Sequence, residues 1–126
     1  MTPQEIFDTV MTHLSTQGRR AYLNLEGCRY RTDTGLKCAV GCLISDDEYR
    51  PNMEGIPVSL LGRDMYRAPI LRALIDDNPQ LLQRLQDLHD TANQIEDFID
   101  AAKSIADDFT LDAAVIYRLS WPRHWK

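Results

Sequence analysis

The chain lacks any apolar run approaching the roughly 18 residues that a membrane-spanning helix requires, so no such helix is expected. Its first ten residues, MTPQEIFDTV, lack the positive region, apolar stretch and small-residue cleavage site of a secretory signal, and a cytoplasmic protein is the expectation. Cysteine is scarce and odd in number: three residues, Cys28, Cys38 and Cys42, all within one 15-residue stretch. In a reducing compartment none of them needs a bridge. Because no C-x-x-C occurs, a thioredoxin-like device is unsupported. Phosphate-cradling and dinucleotide glycine loops, H-E-x-x-H, G-x-S-x-G and the H-x-E with P-C-x-x-C pattern of zinc deaminases are also absent. With three histidines and no supporting constellation, the sequence leans away from an enzyme.

What is present suits one domain spanning residues 1–126, since 126 residues with 44% hydrophobic content can bury a single core. The net charge of −5 is unevenly spread. Residues 19–37 carry Arg19, Arg20, Arg29, Arg31 and Lys37 against Glu26 and Asp33; residues 75–112 carry ten acids against Arg84 and Lys103. A basic front and an acidic back can steer partners, and the same charges also serve as the solvent faces of helices.

Thr2, Pro3 and Glu5 predict a capping box with Pro at the first helical position, opening a helix over 3–17 that Gly18 ends. Ile6, Phe7, Val10, Met11 and Leu14 share its apolar face. The strings CRYR and LKCAV, flanking TDTG, predict a β-hairpin over about 28–40. With Gly35 left-handed, Thr32 pairs with Leu36, Tyr30 faces Cys38 and Cys28 faces Val40; Arg29, Arg31 and Lys37 take the other side. Ser45 and Glu48 form a second capping-box pattern before Pro51, and a helical turn is expected at 57–62.

The back half reads as helical. Tyr66, Ile70, Leu71, Leu74 and Ile75 fit a helix through Asp76, and Asn78–Pro79 restart the chain as cap and first helical residue. Leu81, Leu85, Leu88, Ala92, Ile95, Ile99, Ala102, Ala106 and Phe109 step by four and three, so 79–109 reads as one long heptad helix or as two antiparallel helices. Asp90, Thr91 and Asn93, with Glu96 three residues after Asn93, favour a break near 91–93. In the tail, Trp121 and Trp125 among basic residues read as docking on the protein's own core or on a partner surface, exposed rings making a homodimer an option, or as a grip on single-stranded nucleic acid.

The cysteines admit three readings: buried thiols, a metal site with His89 as a fourth ligand, or a reactive thiol beside Arg29, Arg31 and Lys37. Geometry separates them. Cys38 and Cys42 lie about 13 Å apart if the segment is strand and can share an ion only if it is a helical turn; CAVGCLI leans towards strand. A triad from Cys28 or Cys38 with His89 and Asp90 is conceivable, but His89 is better read as a capping or hydrogen-bonding histidine.

CRYRTDTGLKCAVGCLISDDEY, followed by MEG and LQDLHD, resembles a family of small bacterial and bacteriophage proteins with no known activity, over roughly residues 3–111. Ser45 and Phe98 depart from the Pro and Trp common in that family's pattern. The second cysteine of its K-C-A-x-G-C string is replaceable by Ala, which implies little metal role for Cys42. The resemblance transfers no site residue and implies an accessory protein of a phage or mobile element.

The expectation is therefore a helix-rich α+β domain: an N-terminal helix, a short hairpin and three to four C-terminal helices. Its function is read as a non-enzymatic protein-interaction module, an accessory protein that modulates or inhibits a host protein, with Arg19, Arg20, Arg29, Arg31, Lys37, Trp121 and Trp125 as contact residues. The alternatives are a zinc- or thiol-dependent enzyme using Cys28, Cys38 and Cys42, and a nucleic-acid-binding protein. Zinc is the one cofactor the cysteines would suit; the protein is expected as a monomer or homodimer.

Overall fold

The computed structural model describes residues 1–23, 27–63 and 67–126. Helix α1 spans Pro3–Gln17. Its capping box forms as expected: Thr2 Oγ1 accepts from the Glu5 N–H at 3.1 Å, and Glu5 Oε1 accepts from the Thr2 N–H at 2.9 Å. Gly18 then adopts the left-handed conformation, φ 75°, and donates its N–H to Leu14. The stripe Ile6, Phe7, Val10, Met11 and Leu14 is fully buried and forms the floor of the core.

Two short strands follow, β1 (Tyr22–Leu23) and β2 (Gly27–Cys28), paired antiparallel with Tyr22 opposite Cys28. The expected hairpin survives only at its tip. Thr32 pairs with Leu36, Arg31 bridges Lys37, and the Cys38 N–H donates to the Tyr30 carbonyl at 3.1 Å. Cys28 does not face Val40, because the chain leaves the extended conformation after Cys38 and coils through a 3-10 turn, Gly41–Leu43. The strand-like composition of CAVGCLI is overruled by packing. Gly41 lies so close to Tyr30 that a Cβ there would sit 1.9 Å from the Tyr30 carbonyl oxygen, a contact only glycine permits.

Two carboxylates organise the connector that follows. Glu54 accepts from the N–H groups of Tyr30 and Arg31 and from the Tyr49 hydroxyl, fastening the hairpin tip to the turn Pro51–Met53. Glu48 does not form the expected box with Ser45. Its buried carboxylate reaches the Ile70 and Leu71 N–H groups at 2.9 and 2.8 Å and so caps helix α2 (Pro69–Asp77) from outside. Tyr66, placed in that helix by its apolar spacing, lies outside the described residues. The expected turn at 57–62 is a 3-10 turn, Val58–Leu60.

The heptad run divides as favoured, into α3 (Pro79–Thr91) and α4 (Ile95–Asp108), which pack on each other. Gln94, not Asn93, occupies the cap position of α4, and Asn78 turns its amide back to the Leu74 carbonyl rather than capping α3. A short α5 (Ala114–Arg118) packs on α1. The tail then returns to the core, where Trp125 is 2% exposed, edge-on to His89 and 4.7 Å from the Phe98 ring. Trp121 is half-buried against Phe98 and donates to the Ile116 carbonyl. Of the readings of the tail, docking on the protein's own core is the one that holds, and Trp125 as an exposed contact is corrected: burying a large ring is worth more than displaying it. Among the described residues the fold is a helix-rich α+β domain with one core, as the sequence indicates.

Candidate functional site

Residues of chemical interest meet where β2 ends and the last turn of α3 passes behind it. Cys28 Sγ, a ring nitrogen of His89 and a carboxylate oxygen of Asp90 lie within 4.8 Å of one another. His89 is fully buried, and Asp90 is held from two sides on one oxygen. Its Oδ1 lies 2.7 Å from His89 Nδ1 and 3.0 Å from Gln86 Nε2. On the far side of the ring, the Ala21 N–H donates to His89 Nε2 at 3.0 Å. A backbone N–H can only donate, so Nε2 is the acceptor, and the ring proton resides on Nδ1 and points at Asp90. Gln86 uses its other end to accept from the Val40 N–H, and Arg20 reaches the Asp90 backbone carbonyl. The network ties both sides of the hairpin region to α3.

This wiring decides the chemistry. The Cys28 thiol lies within 4.8 Å of both groups, but His89 Nδ1 is taken by the Asp90 carboxylate and Nε2 by the Ala21 N–H, so neither ring nitrogen is free to accept the thiol proton. A nucleophilic triad needs the imidazole in the middle, where it can take the proton of the nucleophile. Burial, then the negative charge and hydrogen bond of Asp90, push the Cys28 thiol up to about 11, against the opposing pull of Arg20. Burial drives Cys38 higher still and Cys42 to about 12. Cys38 Sγ accepts from the Gly41 N–H at 3.2 Å, and the Cys42 thiol donates to the Ala39 carbonyl at 3.1 Å. Cys38 and Cys42 are hydrogen-bonded and Cys28 is half-buried beside Asp90, so the reading of the three as structural thiols fits their surroundings.

A metal would find a poor donor set. Cys38 and Cys42 share a helical turn, yet neither belongs to the cluster found among the described residues. His89 could ligate through Nδ1 only by surrendering its proton to Nε2, where it would oppose the Ala21 N–H. Cys28 and Asp90 alone fall short of the three or four protein ligands that zinc sites use.

The five basic candidates differ in how far the fold uses them. Arg31 donates to Asp46 at 2.7 Å and to the Ile44 carbonyl, with its guanidinium 4.7 Å from the Tyr49 ring centre. Arg29 bonds the Arg31 carbonyl and faces Glu54. Arg20 packs against the Tyr22 ring, Lys37 is half-buried, and Arg19 stands exposed. Four of the five are thus drawn into the fold.

A cleft of about 250 Å³ opens beside the network, lined by Cys28, Tyr30, Ile56, Gln83, Gln86 and Asp90 among others. The strings CRYR, MEG and LQDLHD, remote in sequence, all contribute to this place.

The feature that sequence reasoning missed lies elsewhere. Of the apolar residues of α2, Leu71 and Ile75 are buried and Leu74 is partly buried against the core, whereas Ile70 is 70% exposed and Ala73 is exposed with it. With Met1, Leu43 and Pro69, the residues Ile70, Ala73 and Leu74 line a concavity of about 390 Å³. The signal was available in PILRALIDD, whose apolar residues run too far round the helix to be covered by a single buried face. Comparison with protein-family models, with curated proteins and with solved structures gives no match for this chain.

Proposed function

We propose that the protein is a non-enzymatic binding module that engages another protein through the outer face of α2, as an accessory factor that modulates or inhibits its host's machinery. The observation that carries this reading is the exposed apolar concavity around Ile70, on a helix whose inner face already fills the core. An exposed apolar surface of this kind, rimmed by Asp77 and Asn78, supports a contact role. The zinc- or thiol-enzyme reading loses support through the protonated cysteines and the tautomer imposed on His89. Nucleic-acid binding loses support through arginines already held by carboxylates and carbonyls.

Affinity purification of the tagged chain from a bacterial host lysate tests the proposal. A stoichiometric protein partner is expected with the wild-type chain and absent with Ile70→Asp. Recovery of the chain alone, or of the same partner with the variant, contradicts it.

A further inference from the structure

Resting on that reading of the α2 face, we infer the chemistry of the partner: a helical segment with two apolar anchors and a lysine or arginine between them. The 390 Å³ concavity does not end at Asp77 and Asn78. Those two residues are also walls of a second hollow, of about 220 Å³, whose other lining includes Pro3, Pro79, Leu81 and Phe109. The two hollows therefore adjoin across the junction of α2 and α3 as a groove divided at Asp77 and Asn78. At about 220 and 390 Å³ the hollows lie below and just above the roughly 300 Å³ at which sites for whole small molecules begin. Each suits side-chain anchors.

Asp77 supplies the charge argument. Its carboxylate is exposed and makes no hydrogen bond or ion pair among the described residues, while its neighbour Asp76 is 3.7 Å from Arg72. It also occupies the last turn of α2, where the negative end of the helix dipole opposes a negative side chain. The surroundings add Asp107 and Asp108 next to Phe109; Arg84 engages Asp108, and the amino terminus at Met1 is the other nearby cation. A cation set on Asp77 would satisfy a charge the chain itself leaves unmatched. Ala73 and Asp77 are one helical turn apart, so a helix laid along the groove would present its basic residue three or four positions from its first anchor. The second anchor would follow at a similar interval.

The test is selection from a displayed library of random 12-residue peptides on the immobilised full-length chain, followed by anisotropy measurements with the enriched peptides. Ile70 and Asp77 are exposed, so substitutions there leave the core intact. The expected enrichment is an apolar residue, a Lys or Arg three or four positions on, and a second apolar residue. Asp77→Lys should select Asp or Glu at the central position instead, and Asp77→Ala should weaken the wild-type peptides roughly fivefold. Ile70→Asp should weaken them about thirtyfold, as loss of a central anchor does. If Asp77→Lys still selects basic peptides, or enrichment shows no central charge, the inferred chemistry is overturned while the surface reading stands. If nothing is enriched, or the peptides bind Ile70→Asp undiminished, both are overturned.

Discussion

The Cys28 cleft and the outer face of α2 use their residues in opposite ways. Around the cleft the chain gathers a thiol, an imidazole, a carboxylate and an amide, and bonds the last three to one another and to backbone groups. On the α2 face it leaves Ile70 and Ala73 exposed beside a partly buried Leu74. Residues associated with chemistry hold the fold together here, whereas residues associated with a core stand in solvent. Residue type alone is therefore a poor guide; what decides is whether each group's bonding or burial demand has been met within the chain.

The comparison implies that substitutions near the cleft act on stability and those on α2 act on binding. The largest effect is expected from Gly41→Ala, which drives a methyl group into the Tyr30 carbonyl. It should cost more than about 3 kcal/mol, seen as a collapse of the urea midpoint. Next is His89→Ala, which strands the Ala21 N–H, removes a donor from Asp90 and leaves a cavity beneath Trp125. A loss of about 3 kcal/mol is expected; a midpoint unchanged from wild type would remove the case for a structural network. Glu48→Gln keeps one acceptor oxygen but loses the charge at the α2 N-terminus, and should cost about 1 kcal/mol. Ile70→Asp should change stability by less than about 0.5 kcal/mol. A large loss there would mean that the face is packed after all, and the contrast between the two regions would fail.

Much of the fold was legible where the signal is local. The Thr2–Glu5 box, the left-handed Gly18 and the break after Thr91 depend on residues within one turn of one another. The hairpin tip was readable for the same reason: Thr32 and Leu36 meet across a short turn. What sequence reading missed depends on partners far along the chain. Glu48 was assigned to Ser45, three residues away, but it serves α2, more than twenty residues on. The strand-like preference of Val40 and Ile44 yielded to the close approach of Gly41 to Tyr30, a contact that propensity cannot register. Trp125 read as core or contact alike because nothing near it in sequence announces the pocket made by His89 and Phe98. Within the candidate site, His89 as a hydrogen-bonding rather than reactive histidine was readable; its partner Ala21, 68 residues away, was not.

The claim on which the rest depends is that the thiol facing the cleft is a protonated structural group. Its titration tests that claim in two ways. With the folded Cys28 raised from its ordinary 9.0 to about 11, ionisation favours the unfolded chain between those values, so stability is full below pH 9 and declines as pH rises through 11. More directly, the rate of Cys28 alkylation can be followed against pH in a Cys38→Ala, Cys42→Ala background whose fold has been checked by circular dichroism. The rate should be slow at neutral pH and climb steadily with hydroxide to about pH 11. A plateau reached below pH 8 would mean a thiolate stabilised for chemistry, and would contradict the account.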